Sequence, residues 1–294
     1  MLKAERAMKP GLSLLLISVL ATALVLPSCQ TDARQDSTAQ VAPSAYLGFD
    51  LNIFPGVAAL PILRKTFAFG GYWLSPPPGE KNNTWTDKRE LLRAQGFGFL
   101  LLYRGRKSSE LKEQANATAK GTLDARNAAS AAKSEGFPSK SVIFLDIEEG
   151  GGLPLTYHSY LHAWTSELAR AGYRAGAYCS GIPVGDGPGA TIKTADDIHA
   201  HAPSQDFVFF IFNDVCPPAP GCTFPQIPPS ATSGGIPYAA VWQYAQTPRR
   251  KERTVYCPPG YNADGNCYAP GDSAHAWFLD IDTASTPDPS GGAK

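Results

Sequence analysis

Eight short segments rich in apolar and β-branched residues constrain the fold more than any other feature of the sequence. They are residues 46–51, 67–73, 97–103, 142–148, 174–180, 207–213, 239–245 and 276–282. Several of them are nearly continuous apolar runs, a pattern typical of parallel strands that are covered on both faces. Because parallel strands in one sheet need crossover connections, the segments between them decide the architecture.

The connections carry helical patterns in the first two thirds of the chain only. These patterns predict a helix between Thr84 and Gln95, helices over 121–135 and 155–171, and a short helix over 194–201. The later connections, 214–238 and 246–275, are rich in proline, glycine and cysteine and have no helical period. Eight strands with about five helices predict an α/β fold of the (β/α)8 TIM-barrel type, with an incomplete helix layer and loops joining the last strands.

The beginning of the sequence has the layout of an export signal. Lys3, Arg6 and Lys9 precede an uncharged apolar stretch, 11–26, which is shorter than the roughly 20 residues of a membrane span. The stretch runs into Leu-Pro-Ser-Cys, which resembles a bacterial lipobox with Cys29 as the lipidated residue. A plain signal peptide and an uncleaved anchor are the alternatives. We therefore expect an exported lipoprotein of the cell envelope, in contact with a membrane through its lipid anchor.

These patterns divide the chain into four parts. Residues 1–28 are the predicted signal peptide and 29–45 a polar tether that is expected to be flexible. Residues 46–284 form the predicted barrel, which is a usual size for one α/β barrel domain. Residues 285–294 are polar, without aromatic residues or periodicity, and are expected to be a disordered tail.

Charge and motif content disfavour several classes of function. The 26 basic and 26 acidic residues leave no net charge, whereas binding a nucleic-acid backbone normally requires a basic excess. His158 and His162 lie four residues apart on a predicted helix but lack the adjacent glutamate of the zinc-protease motif. We expect no metal, no cofactor and no nucleic-acid partner, and we expect a monomer.

Four cysteines lie in the long loops that follow the sixth and seventh predicted strands. Cys216 and Cys222 flank a proline-rich turn, and Cys257 and Cys267 flank a glycine- and asparagine-rich one. We therefore predict two short disulfides, Cys216–Cys222 and Cys257–Cys267, of the kind that stabilises loops without a core in exported proteins. Zinc is the alternative, but the spacings differ from the close cysteine pairs of structural zinc sites.

Acidic residues lie at or near the ends of four predicted strands. Asp50 lies near the end of the first strand, Asp146 and Glu148 at the end of the fourth, Asp214 follows the sixth, and Asp280 and Asp282 lie in the eighth. In a parallel barrel, functional groups project from the C-terminal ends of the strands. Asp146 and Glu148 are two residues apart, so both point to the same side, roughly 6.5–7 Å apart along the strand. Capping of a turn is the alternative for Asp50 and Asp282.

A cluster of such acids has a specific chemical use. Acids that follow apolar runs are costly to bury unless they are paired, and mutual repulsion raises the pKa of at least one of them. Cleavage of a glycosidic bond needs a carboxyl group that is still protonated near neutral pH beside ionised neighbours. The acids at the predicted barrel mouth therefore favour a glycosidase site.

The order of these motifs resembles two related protein families. The motifs are Gly-Phe-Asp-Leu-Asn at 48–52, Leu-Asp-Ile-Glu at 145–148, Val-Trp-Gln-Tyr at 241–244 and Leu-Asp-Ile-Asp at 279–282. Together they resemble the family 25 glycoside hydrolases, which are lysozyme-like TIM barrels of the muramidase type. Gly121-x-x-Asp124-Ala125 before an alanine-rich helix is similar to the Rv2525c-like, glycoside-hydrolase-like domain (DUF1906).

The resemblance covers about residues 46–284 and implies roles for the acids. It implies Glu148 as the proton donor and Asp146 as a group that orients the N-acetyl group of the substrate or stabilises positive charge. Asp50 and Asp280 are then expected to tune the pocket. Attack by the acetamido oxygen of the substrate is a known exception to the two-carboxylate scheme and suits this spacing.

Aromatic residues near the same strand ends complete the predicted site. Tyr103, Tyr178, Trp242 and Tyr244 are expected to stack on sugar rings, with packing in the core as the alternative. The residues and the resemblance predict a glycoside hydrolase that acts on an N-acetylated, peptidoglycan-like polysaccharide. The alternatives are a catalytically inactive glycan-binding module and an envelope-assembly lipoprotein on the same barrel.

Overall fold

The computed structural model describes residues 44–201, 204–254 and 260–294, and it confirms the α/β barrel. Eight strands close the barrel in the order β1-β10-β9-β8-β5-β4-β3-β2. They are β1 (Tyr46–Asp50), β2 (Phe69–Trp73), β3 (Gly98–Arg104), β4 (Val142–Asp146), β5 (Arg174–Ser180), β8 (Val208–Phe212), β9 (Ala239–Ala245) and β10 (Asp280–Ala284). Two further short strands, β6 (Val184–Gly185) and β7 (Thr191–Ile192), pair with each other in the loop after β5.

The helices occupy most of the connections as far as β8. They are α1 (Leu60–Leu63), α2 (Arg89–Ala94), α3 (Gln114–Ser134), α4 (Leu155–Arg170) and α5 (Thr194–Ala200), with a four-residue α6 (Lys251–Thr254) in the last loop. Helix α3 begins seven residues before the predicted start at Gly121. A Cβ atom at Gly121 would overlap the carbonyl oxygen of Tyr160, so this glycine permits the close approach of α3 and α4.

Strand β10 departs from the parallel arrangement predicted for all eight strands. It is antiparallel to both β1 and β9, and Asp50 pairs with Asp280 across the β1–β10 contact. A strand that returns from the mouth of the barrel to its opposite end needs no crossover helix. The loop between β9 and β10 therefore stays at the mouth, and Asp280 enters the mouth at the beginning of its strand rather than near its end.

Aromatic and aliphatic side chains fill the interior of the barrel. Phe144 of β4 and Phe210 of β8 lie with their ring centroids 5.9 Å apart, and both are essentially inaccessible to solvent. A Cβ atom at Gly48 of β1 would overlap the ring of Phe69 from the neighbouring β2. The ring of Phe69 thus occupies the space that the glycine leaves in the narrow interior.

Residues 285–294 are ordered, so the prediction of a disordered tail is wrong. Ser290 lies between the starts of β3 and β4 and is 1% exposed. Its N–H donates to the carbonyl oxygen of Phe99, and its own carbonyl oxygen accepts from the N–H of Val142. The first inter-strand pair of β3 and β4 is Leu101 with Ile143, so this segment satisfies backbone groups at the end opposite the mouth that would otherwise lack partners.

Replacement of Asp288 by alanine is expected to lower the free energy of unfolding by about 1–3 kcal/mol. The Asp288 carboxylate accepts hydrogen bonds from the backbone N–H groups of Phe99, Gly292 and Ala293, which the variant leaves without this partner. Urea unfolding followed by tryptophan fluorescence measures the change. Asp186→Ala, at an exposed loop position, is the control and should change stability by less than about 0.5 kcal/mol. Equal stability of the two variants would contradict this anchoring role.

Within the described ranges, a disulfide joins the two long loops near the end of the chain. It links Cys222, in the loop after β8, to Cys267, in the loop after β9, across 45 residues of sequence. The predicted pairs Cys216–Cys222 and Cys257–Cys267 are therefore both wrong, and Cys257 itself lies outside the described residues. A bridge that closes a loop of this length stabilises the fold by about 4 kcal/mol in the chain-entropy model.

The predicted signal peptide, Cys29 and the tether as far as residue 43 lie outside the described residues. None of the helices in the described ranges has the length and hydrophobicity needed to cross a bilayer.

Candidate active site

The four acids singled out in the sequence line one cavity at the mouth of the barrel. Asp50 and Asp146 are the last residues of β1 and β4, and Asp280 is the first residue of β10. Glu148 lies two residues beyond the end of β4. The cavity that these side chains line has a volume of about 120 Å³. Residues that are far apart in the chain therefore meet at one point in the fold.

These acids differ in their exposure to solvent. Asp146 is 4% exposed and Asp50 is 6% exposed, so both lie on the floor of the cavity. Asp280 is half-buried, and Glu148 is exposed at the rim. The arrangement places one accessible carboxyl group above several buried ones.

A fifth carboxyl group, Asp282, lies deeper in the barrel than Asp280 on the same strand. Asp282 is inaccessible to solvent, and its carboxyl group lies within hydrogen-bonding reach of that of Asp50. Burial raises the pKa of Asp282 well above its ordinary value, and the negative charges of Asp50 and Asp280 raise it further. A buried carboxyl group in this position favours its protonated form.

Burial also dominates the pKa of Asp50. It raises the pKa of this carboxyl to about 6, and the charge of Glu148 adds to the shift. The amide of Gln243 opposes the shift, because its Nε2 donates to Asp50 Oδ2 at 2.8 Å and stabilises the ionised form. The net effect on Asp50 is a pKa of about 6, well above that of an ordinary aspartate.

Asp146 and Asp280 retain their protons to a higher pH than ordinary aspartates. Burial raises the pKa of Asp146 well above its ordinary value, and the charge of Glu148 is the next cause. The carboxyl group of Asp146 also lies within hydrogen-bonding reach of that of Glu148, which raises its pKa further. Burial likewise raises the pKa of Asp280, followed by the charge of Asp50. Burial thus favours the protonated forms of both carboxyl groups in the cavity.

Gln243 of β9 organises the polar side of the cavity. In addition to its bond to Asp50, its Oε1 accepts from the hydroxyl of Tyr178 at 2.7 Å and from Nε2 of Gln246 at 2.9 Å. These bonds fix the orientation of the amide and therefore of the carboxyl group that it holds. Gln243 was not among the site residues predicted from the sequence, although it lies between Trp242 and Tyr244, which were.

Two of the four predicted sugar-binding aromatics, Trp242 and Tyr244, do not line the cavity. Side chains alternate along a strand, so Gln243 points inward and both neighbours point away from the barrel interior. Both rings are inaccessible to solvent. The indole of Trp242 donates to the carbonyl oxygen of Asn213, and the hydroxyl of Tyr244 donates to that of Thr223. The predicted role of these two residues in stacking on sugar rings is therefore wrong.

The other two predicted aromatics differ from each other. Tyr178 of β5 lines the cavity. Tyr103 of β3 does not, because its neighbour Leu102 points inward and Tyr103 faces the helix layer. Its ring centroid lies 5.5 Å from that of Trp164 on α4. Tyr103 is thus a packing residue between the barrel and α4.

A larger groove of about 750 Å³ adjoins the acid cavity and shares Asp50 and Asp280 with it. Its walls include Phe54, Trp277 and Phe278, and Phe278 is 52% exposed. The apolar pattern predicted a strand over 276–282, whereas β10 begins only at Asp280. Trp277 and Phe278 therefore belong to a loop at the mouth, which the continuous apolar pattern of this segment concealed.

The closed barrel, with carboxyl groups lining its mouth, is an α/β barrel of the TIM type. Residues 72–205 match the family described as Rv2525c-like, glycoside hydrolase-like domain. This match confirms the resemblance seen in the sequence. Among curated proteins, no sequence matches the chain closely enough to count as a relative.

Solved structures share this fold at low sequence identity. An uncharacterised protein of B. stearothermophilus is 20% identical with a TM-score of 0.54, over 81% of this chain and 95% of that one. The Tat-secreted protein Rv2525c of Mycobacterium tuberculosis, in complex with L-tartrate, is 15% identical with a TM-score of 0.50, over 84% and 97%. A bacterial lysozyme from Streptomyces coelicolor is 12% identical with a TM-score of 0.47, over 85% and 98%. The first two structures show that the barrel architecture is shared.

Proposed function

We propose that this protein is a glycoside hydrolase that cleaves a β-1,4-linked, N-acetylated glycan of the peptidoglycan type. The observation that carries the proposal is the convergence of Asp50, Asp146, Glu148 and Asp280 on one cavity that adjoins a long groove. The match to a glycoside hydrolase-like family supports it. Protonated and ionised carboxyl groups side by side are what cleavage of a glycosidic bond requires.

Glu148 is the proposed general acid. It is exposed at the rim of the cavity, where it can reach the oxygen of a bound glycosidic linkage. Asp146 lies beneath it and is the proposed partner of the acetamido group of the substrate. The acetamido oxygen attacks the anomeric carbon while Glu148 gives its proton to the leaving oxygen, and water then hydrolyses the cyclic intermediate.

The remaining acids are proposed to stabilise the transition state. Asp50, whose pKa is raised to about 6 by burial, is largely ionised at pH 7 and is held in place by Gln243. A fixed negative charge at this position stabilises the positive charge that develops on the sugar ring. Asp280, across the β1–β10 contact from Asp50, contributes a second carboxyl group to the same wall.

The reaction can be tested with a matched pair of substrates. The full chain is incubated with purified peptidoglycan, with chitin oligosaccharides and with cello-oligosaccharides, and the release of reducing ends is measured. Release is expected from the N-acetylated glycans but not from the cello-oligosaccharides, which have the same β-1,4 linkage without the acetamido group. Equal cleavage of chitin and cello-oligosaccharides would contradict the role of the acetamido oxygen.

A glycan-binding module without activity is the second candidate function. The groove has a volume of about 750 Å³ against about 120 Å³ for the acid cavity, so most of the binding surface lies outside the reacting centre. Measurable binding of peptidoglycan without any release of reducing ends would favour this candidate over the hydrolase.

Replacement of Trp277 by alanine is expected to weaken glycan binding about tenfold, since aromatic stacking contributes about 0.5–1.5 kcal/mol beyond the area buried. Trp277 is half-buried in the wall of the groove, where one face of an indole can cover a sugar ring. Isothermal titration calorimetry with a chitin oligosaccharide measures the affinity. The matched control is Leu123→Ala, which removes a side chain that is 51% exposed on α3 and should leave affinity unchanged. A similar loss in both variants would contradict the assignment of the groove.

The proposed location is the cell envelope, with the barrel held at a membrane by lipid on Cys29 and acting as a monomer. The disulfide between Cys222 and Cys267 supports export, because such bridges persist mainly in oxidising compartments. The lipid anchor rests on the sequence pattern around Cys29.

A further inference from the structure

Two histidines and one aspartate meet between helices α4 and α5, outside the acid cavity. His158 of α4 places its Nε2 3.3 Å from Asp197 Oδ2, and His201, the residue after α5, places its Nδ1 3.5 Å from Asp197 Oδ1. One potential ligand atom from each of the three side chains lies within 4.8 Å of the other two. In the described ranges this His–Asp–His cluster is the one group of three such side chains that meets this geometry.

We propose that the His–Asp–His cluster is a binding site for a divalent transition metal, with zinc as the first candidate. Two imidazole nitrogens and one carboxylate oxygen are common ligands of zinc in proteins. In the sequence, His158 pairs with His162 by a spacing of four residues, but in the structure the side chain of His158 contacts Asp197 of α5. The ligand set could not be recognised from spacing because it combines residues of two helices.

The surroundings of the cluster match those of a metal site. The Asp197 carboxylate is oriented by the N–H of Leu153, which donates to Oδ2 at 2.9 Å, as outer-sphere partners commonly orient metal ligands. His158 is 7% exposed, so the surrounding side chains hold its imidazole in place beside Asp197. The side chain of His201 is 52% exposed and gives an ion access from solvent.

The two imidazole rings are also close to each other. Their centroids lie 4.3 Å apart, and both rings face the same carboxylate. The Nδ1 atom of His201 lies 2.9 Å from the backbone oxygen of Asp197, which holds the ring beside the end of α5. Metal coordination through this nitrogen replaces that contact with a stronger bond to the ion.

A metal at this position would stabilise the loop that carries Glu148. Leu153, which is bonded to Asp197, lies at the end of this loop, and Thr194 of α5 donates to the carbonyl oxygen of Gly151 within it. An ion held by α4 and α5 therefore fixes the far end of the loop. The expected role of the metal is structural, since none of its ligands lines the acid cavity.

The test is a zinc titration of the full chain after removal of metals with a chelator and dialysis. Competition with a chromophoric chelator measures the affinity and the number of zinc ions bound. We expect the wild type to bind one zinc ion per chain. His201→Ala and Asp197→Asn should bind no zinc, or bind it at least about 100-fold more weakly. Saturating zinc should raise the melting temperature of the wild type by about 5 °C or more, and should not do so in these variants.

His162→Ala is the matched control, because His162 is exposed one turn further along α4 and should bind no ion. Circular dichroism establishes that each variant is folded. His201→Ala is the decisive variant, because the side chain of His201 is 52% exposed and its removal should leave the fold intact. Equal zinc binding by the wild type and by His201→Ala would overturn the proposal. The absence of any zinc binding by the wild type would also overturn it, and the cluster would then be only a hydrogen-bonded contact between α4 and α5.

Discussion

Replacement of Glu148 by glutamine is expected to reduce the rate of glycan hydrolysis about 10²–10⁴-fold, the usual contribution of a general acid. Glutamine keeps the size and polarity of the side chain but cannot give a proton to the leaving oxygen. Because Glu148 is exposed, the substitution should change stability by less than about 0.5 kcal/mol. Kinetics on chitin oligosaccharides should show a lower kcat, while calorimetry should show unchanged substrate affinity.

The neighbouring residue provides a matched control for this experiment. Glu149 is half-buried, its carboxylate accepts from the backbone N–H and the hydroxyl of Ser108, and it does not line the cavity. Glu149→Gln should therefore retain kcat within a few-fold of the wild type. A full rate in Glu148→Gln, or an equal loss in both variants, would show that Glu148 is not the proton donor.

The strand pattern and the positions of the acids were predictable because burial has a strong sequence signature. Near-continuous apolar runs mark several of the strands, and an acid such as Asp146 at the end of such a run is costly to bury unless it is paired. The direction of β10 was not predictable in this way, since an apolar pattern reads the same for a parallel and an antiparallel strand. The position of Asp280 at the mouth therefore came out as predicted although the strand runs in the opposite direction.

The aromatic residues of the site were harder to predict, because successive side chains of a strand point to opposite faces. In a strand that is buried on both faces, the sequence shows that Trp242 and Tyr244 share a side opposite to Gln243, but not which side faces the barrel axis. The structure places Gln243 inside and both rings outside. The disulfide pairing was not predictable for a similar reason, because the spacing around Cys222 does not indicate which distant loop lies beside it.

The proposed site has an energetic consequence for the whole fold. Asp50, Asp146, Asp280 and Asp282 all have raised pKa values, in each case chiefly because burial disfavours their charged forms. A group whose pKa is raised on folding contributes stability that is fully present below its unfolded pKa and is lost as the pH rises through its folded pKa. These four groups are therefore expected to make the free energy of unfolding of the barrel lower at pH 8 than at pH 4. This is a cost of the kind that active sites impose on stability.

Replacement of Asp50 by asparagine is accordingly expected to raise the free energy of unfolding at pH 8 by on the order of 2–3 kcal/mol. Burial raises the pKa of Asp50 from 3.8 to about 6, so its unfavourable contribution develops between about pH 4 and pH 6 and is complete at pH 8. Asparagine still accepts a hydrogen bond from Gln243 but carries no charge to desolvate.

Urea unfolding of Asp50→Asn and the wild type at pH 4 and at pH 8 measures the difference, which should be large only at pH 8. Asp288→Asn is the control, because the Asp288 carboxylate accepts three backbone hydrogen bonds at the opposite end of the barrel, and its loss should lower stability at pH 8. Asp50→Asn should also lose activity if the fixed charge stabilises the transition state. If Asp50→Asn is inactive but no more stable than the wild type at pH 8, burial of the ionised Asp50 carboxylate does not destabilise the fold, and the prediction is wrong.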